Sequence, residues 1–167
     1  VFRQPEQLAG DPVGHLARHQ AAAGLLVILL DTNVVSALLR PEQEPKIVYW
    51  LNDISEGELC TSAVTLFELR FGIERMPASR RRAKLAADVD LIVEHILGNR
   101  VLGFDDRAAA AAASLRVRRE RSGGTIEVAD TFIAGIAIAH ACRIATRNRR
   151  HFSGLALEVI DPWAAVP

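Results

Sequence analysis

Asp31, Glu68 and Asp130 are the residues whose type and placement could do chemistry in this 167-residue chain. Asp31 closes the apolar run Leu26-Val27-Ile28-Leu29-Leu30. Glu68 lies in Thr65-Leu66-Phe67-Glu68-Leu69-Arg70-Phe71-Gly72, and Asp130 opens Asp130-Thr131-Phe132-Ile133-Ala134-Gly135-Ile136-Ala137. A carboxylate beside buried segments is costly unless something pairs with it. If folding gathers these three at about 4 Å, each pair repels by roughly 4 kcal/mol at an effective dielectric of about 20, on the order of 12 kcal/mol in all. A divalent cation would remove that penalty. Carboxylates are hard oxygen ligands suited to Mg2+, with Mn2+ as the alternative ion. Such an ion activates water and stabilises charge on a phosphodiester.

Each acid also has an ordinary structural explanation. Thr65-Leu66-Phe67-Glu68 reads as a capping box, in which Thr65 caps and Glu68 reaches back to its amide. Asp130 reads as an N-cap, and Asp31 as the cap of a helix starting near Val34. The spacings do not choose between the two readings; only a fold can bring the acids together.

Other chemistries fit poorly. Gly123-Gly124 is a plain turn, not a phosphate loop. Asp31-Thr32-Asn33-Val34 lacks the second Asp, two positions on, of a phosphoaspartate hydrolase. His15, His19, His95, His140 and His151 form no zinc pattern, and His95 and His140 read as ordinary helix residues. Ser36 has no evident base partner.

The length suits one domain with one core, and half the residues are apolar. Aromatics are 5%, too few for a surface of base-stacking platforms. Formal net charge is zero, but it is unevenly spread. Between Arg107 and Arg150, nine arginines oppose three acids, a net of +6, so the rest of the chain carries −6. Lys46 and Lys84 are the lysines; all other cations are Arg, which suits bidentate phosphate contact. The plainer reading is a solvated helix face. Cys60 and Cys142 lack metal or redox spacing and read as reduced core thiols, consistent with a cytoplasmic protein. The apolar stretch 21–30 is too short to span a bilayer. It also lacks an obvious signal-peptide cleavage site before Asp31-Thr32-Asn33, and no membrane role is expected.

Residues 1–26 differ in composition from the remainder and read as an appended, poorly ordered segment, with Val27 a plausible start; the domain is expected over 27–165. Within it, strand patterns over 27–30, 59–62, 100–103, 143–146 and 157–160 alternate with helical patterns over 34–40, 45–54, 65–76, 79–97, 106–121 and 130–141. The 106–121 helix holds six successive alanines and an Arg-rich end. Such alternation implies a three-layer α/β/α domain with a central, mainly parallel sheet. Working residues in such sheets lie beyond the carboxyl ends of the strands, where Asp31 and Asn148 fall.

Four segments carry a resemblance. Ile28-Leu29-Leu30-Asp31-Thr32-Asn33-Val34-Val35-Ser36-Ala37-Leu38 resembles the opening motif of PIN-domain nucleases, especially the VapC/FitB-like toxins of bacterial toxin–antitoxin pairs. Ser62-Ala63-Val64-Thr65-Leu66-Phe67-Glu68-Leu69-Arg70-Phe71-Gly72-Ile73 is similar to the second motif. Val128-Ala129-Asp130-Thr131-Phe132-Ile133-Ala134-Gly135 is similar to the third, and Ala145-Thr146-Arg147-Asn148-Arg149-Arg150-His151-Phe152 to the fourth. The resemblance runs from about Val27 to Trp163.

It implies a Mg2+-dependent endoribonuclease in which Asp31 and Asp130, with Glu68 near, hold the ion while activated water attacks an RNA phosphodiester in line. Asn33, Thr146 and Asn148 are supporting residues that orient a ligand or an acid. The family's fourth acid has His151 in its place, which leaves one metal or two open. His151 then either contacts phosphate or the ion's water, or stays solvated, and Glu127 is a substitute acid. The resemblance also implies a homodimer and a cognate antitoxin, whose contact the appended segment would mimic or hinder. Two other readings stay open: a catalytically impaired PIN-like binding module, and a structure-selective DNA nuclease.

Overall fold

The computed structural model describes residues 27–55, 57–152, 154–155 and 157–164. Residues 1–26 and 165, on which the expected domain boundaries fall, lie outside the described residues. β1 (Ile28–Leu30) is buried at every position, as a strand covered on both faces must be. Its side chains alternate. Ile28 and Leu30 enter one core and Leu29 the other.

Among the described residues, five strands form one sheet in the order β3-β2-β1-β4-β5, every pairing parallel. β2 is Leu59–Ser62, β3 Val101–Leu102, β4 Arg143–Ala145 and β5 Val159–Ile160. On the face reached by Ile28 and Leu30 pack α1 (Thr32–Leu38), α2 (Pro45–Asn52), α3 (Ala63–Glu74) and α4 (Arg80–Leu91), which continues as a π-helical turn over Ile92–Ile96. Val34, Ile47, Leu69, Val89 and Ile92 are their buried anchors. The opposite face carries α5 (Asp106–Arg121), α6 (Val128–Ala139) and the single turn α7 (Arg149–Phe152), anchored by Leu115, Ile133, Ile136 and Phe152. This is the expected three-layer α/β/α arrangement.

The alanine run has a packing reason. A Cβ on Gly135 of α6 would stand 2.5 Å from the Ala108 carbonyl oxygen and 2.7 Å from Ala112 Cβ on α5. The two helices therefore meet through small residues. Cys60 and Cys142 are buried free thiols.

Helix starts differ from the sequence pattern. α3 begins at Ala63, and its cap is Ser62, whose Oγ accepts from the Thr65 amide at 2.9 Å. Thr65 therefore does not cap, and Glu68 lies in the second turn, outside any capping box. α6 begins at Val128, with Glu127 at the cap position, so Asp130 sits inside the first turn. α1 begins at Thr32 with Asp31 as its cap.

Candidate active site

The sheet order reverses between β1 and β4: the chain builds outward from β1 to β3, then crosses to β4 on the other side. Parallel sheets open a crevice at the carboxyl ends of such a strand pair. Asp31 follows β1 there, and Thr146 follows β4. The Asp31 amide donates to the Ala145 carbonyl at 3.0 Å and closes the bottom of the crevice.

Asp31 is 2% exposed and fully engaged. Oδ1 accepts from the Thr32 amide at 2.6 Å. Oδ2 accepts from Thr146 Oγ1 at 2.6 Å and from Asn33 Nδ2 at 3.2 Å. Thr146 Oγ1 in turn accepts from the Asn148 amide at 3.0 Å. Glu68 comes from α3 and accepts a hydrogen bond from Thr32 Oγ1. Asp130 comes from α6, and its Oδ2 meets His151 Nδ1 from α7. Asn148 Nδ2 lies 2.7 Å from Nδ1 and 3.1 Å from Nε2 of the same ring. Arg119, near the end of α5, donates to the His151 carbonyl at 3.1 Å.

The three carboxylates share one electrostatic environment. Burial raises the pKa of Asp31 most; hydrogen bonds from Thr146, Thr32 and Asn33 oppose that, and the charge of Asp130 adds to it. Burial also raises Glu68, opposed by Thr32 and reinforced by Asp31, Asp130 and Glu127. Asp130 is raised by burial and Glu127, and eased down by His151. Negative charge thus accumulates in one low-dielectric crevice, where like charges disfavour ionisation.

The fold brings Asp31, Asn33, Glu68, Asp130, Thr146, Asn148 and His151 to this one end, although their disposition is specific. Among the described residues, no three His, Cys, Asp or Glu side chains form an array that could hold a metal ion. Each acid is instead turned onto a neighbouring donor: Asp31 onto Thr146, Glu68 onto Thr32, Asp130 onto His151. Carboxylate oxygens remain hard donors of the kind a dication takes.

Two contributors were not legible from sequence. Thr32 bonds both Asp31, through its amide, and Glu68, through its hydroxyl; a hydroxyl directly after the strand-end acid was the available signal. Arg119 anchors the His151 backbone, and an Arg among many on α5 gave no signal.

Beside the acids, an apolar depression of about 480 Å³ is lined by Ala63, Val64 and Phe67 of α3 and by Val128, Ala129 and Phe132 of α6. Exposed Phe67 stacks on Phe71, ring centroids 5.8 Å apart. Arg147, Arg149 and Arg150 stand exposed around Asn148 and His151, and the Arg147 guanidinium lies 5.3 Å from the centre of the Trp163 ring.

Known proteins are similar to this chain in sequence and fold. VapC ribonuclease Y4jK of Sinorhizobium fredii is 38% identical over 137 residues, covering 82% of this chain and 98% of the relative. Toxin FitB of Neisseria gonorrhoeae is 33% identical over 137 residues, covering 82% and 99%. The crystal structure of FitAcB from Neisseria gonorrhoeae superposes with a TM-score of 0.75 at 33% identity, covering 82% of this chain and 99% of that one. The PIN domain family model matches residues 28–156, a span that contains Asp31, Glu68, Asp130, Thr146, Asn148 and His151. With that match laid over acids delivered by β1, α3 and α6 to one sheet end, the chain belongs to the PIN-domain family.

Proposed function

We propose that this chain is an endoribonuclease acting as the toxin of a toxin–antitoxin pair, and that Asp31, Glu68 and Asp130 are its catalytic acids. The observation that carries the reading is their convergence beyond the carboxyl ends of β1 and β4. Relatives named as a VapC ribonuclease and as toxin FitB support it.

Asp31 and Asp130, with Glu68 near, would hold a divalent cation, Mg2+ or Mn2+. When bound, it offsets charge on the phosphodiester and makes the attacking water more acidic. The chain's own residues do the rest. Thr146, Asn33 and the Thr32 amide fix Asp31 in a single orientation. Thr32 Oγ1 fixes Glu68. His151 and Asn148 steady Asp130. Arg147, Arg149 and Arg150 flank the crevice where RNA phosphates would lie.

The apolar depression and the exposed Phe67–Phe71 pair offer surface for an antitoxin or for the second copy of a homodimer. Among the described residues no helix is long and apolar enough to cross a membrane, and the reading places the protein in the cytoplasm.

The test is incubation of the purified chain with labelled single-stranded RNA and with branched DNA, in Mg2+, in Mn2+ and in chelator. Cleavage of RNA that stops in chelator and returns with added ion is the expected result. Cleavage that persists in chelator, or a preference for branched DNA, would overturn it. The contact between Asp130 and His151 favours one second reading, a binding module without catalysis. That reading predicts RNA retained but never cut.

A further inference from the structure

We propose that the cleft at the carboxyl end of α5 is a second phosphate site for the RNA strand, and that Arg119 couples its occupancy to the turn that carries His151; this rests on the endoribonuclease reading above. The cleft holds about 60 Å3 and is lined by Arg116, Arg119, Glu120, Gly124, Thr125 and Ile126. That is room for a single anionic group and not for a nucleobase. Two guanidinium groups and a hydroxyl are donors suited to phosphate oxygens.

The charge at this end exceeds what the helix itself calls for. Arg116, Arg118, Arg119 and Arg121 stand in the last two turns of α5 against Glu120. The helix dipole brings only about half a negative charge to its carboxyl end, so a positive surface remains. Arg116 pairs with Glu120 at 3.1 Å, but both side chains are about half exposed or more, and such a pair contributes little. A phosphate can take the place of Glu120.

The cleft is continuous with the crevice. Arg119 Nη2 donates to the His151 carbonyl at 3.1 Å, which joins the end of α5 to α7 and its exposed neighbours Arg147, Arg149 and Arg150. The other flank of the acids is the uncharged depression between α3 and α6. An RNA strand leaving the acids therefore meets its next cations on the α5 side. That continuity assigns the cleft to RNA and not to an acidic protein segment.

Arg119 reaches both places at once. Its carbonyl accepts from the Gly124 amide at 3.0 Å, and a Cβ on Gly124 would stand 3.7 Å from Arg119 Cδ, so the chain reversal after α5 lies against its stem. The guanidinium that lines the cleft also holds the backbone of His151, whose ring meets Asp130. A phosphate seated on Arg119 steadies α7 and, through it, the acid. Arg119 is thus a positioning residue, whereas Arg116 only binds.

The experiment measures the affinity of the full chain for labelled single-stranded RNA in chelator across salt, then kcat and KM with divalent ion restored. Arg116→Gln should weaken binding roughly tenfold, reduce the slope of log affinity against log salt by about one, and act through KM. Arg119→Gln should reduce the slope equally and also lose about tenfold in kcat. Arg119→Lys keeps the charge without the planar fork, so it should recover the slope and not kcat. Arg70→Gln, on α3, should match wild type. Unchanged slopes in both glutamine variants would overturn the phosphate site, while cleavage by wild type keeps the endoribonuclease reading standing. Unchanged kcat in Arg119→Gln would overturn the coupling. Poly-glutamate bound more tightly than RNA, and released by Arg116→Gln, would give the cleft to a protein partner and overturn the proposal. RNA neither bound nor cut by wild type would overturn both readings. Should Arg119→Gln fail to fold, exposed Arg116 decides the phosphate site and Arg119→Lys the coupling.

Discussion

Thr146 Oγ1 donates to Asp31 Oδ2 at 2.6 Å, tying the end of β4 to the end of β1 across 115 positions of sequence. The same hydroxyl accepts from the Asn148 amide, so one buried atom holds an acid on one side and the start of the His151 turn on the other. Thr146→Val keeps the shape and removes both bonds. It should cost about 1–3 kcal/mol in urea unfolding, because a half-buried amide and a buried carboxylate each lose a partner. RNA cleavage should fall roughly 10–100-fold, the usual effect of losing a group that orients a metal ligand. Thr146→Ser should recover most of both. Unchanged cleavage in the valine variant would show that Asp31 does not depend on this bond.

Asp31 sets a pH dependence whose sign follows from its environment. Burial holds its carboxyl above the ordinary 3.8, against its hydrogen bonds, so the folded state binds that proton more tightly than the unfolded chain. The metal-free protein therefore loses stability as pH rises from the unfolded value through the folded one. Asp31→Asn, measured in chelator near pH 7, should melt higher by roughly 2–4 °C, on the order of 1 kcal/mol for a chain of this size. The gain should vanish below about pH 4, where the acid is protonated in both states. A variant melting lower at neutral pH would mean that the hydrogen bonds outweigh burial.

Gly135 allows α6 to lie against the alanines of α5, and there is no room for a methyl group. Gly135→Ala should lower stability by about 1–3 kcal/mol, the range for overpacking a close contact. The shift in urea midpoint measures it. A midpoint equal to wild type would mean that the helices do not approach as closely as described.

Arg147 presents its guanidinium over the Trp163 ring beside the crevice. If it holds a phosphate, Arg147→Gln should weaken RNA binding evenly across sequences and reduce the slope of log affinity against log salt by about one. Fluorescence anisotropy in chelator, which prevents cleavage, reads both. An unchanged slope would remove Arg147 from the RNA path.

Much of the architecture is legible in the residues. The run 27–30 is apolar at every position, which marks a strand buried on both faces, and its alternation with helical patterns implies a parallel sheet. Helix starts are less legible. Thr65 and Asp130 both look like caps, but local pattern cannot show that Ser62 already holds the Thr65 amide. The four residues of α7 are too few to show a period. At the site, the acids stand out by type, and Thr146, Asn148 and His151 by resemblance. Their pairing does not, since the bond from Thr32 to Glu68 spans 36 positions and that from His151 to Asp130 spans 21. Such contacts follow from sheet order, which periodicity leaves open.

The central claim is that Asp31, Glu68 and Asp130 act as one centre. Single-turnover cleavage of a labelled RNA by Asp31→Asn, Glu68→Gln, Asp130→Asn and their pairwise combinations, at saturating divalent ion, tests it most directly. Each single variant should lose at least about 100-fold, and each double should fall little below its worse single, as groups working as a unit do. Wild-type rate in any single variant, or losses that multiply in the doubles, would contradict it.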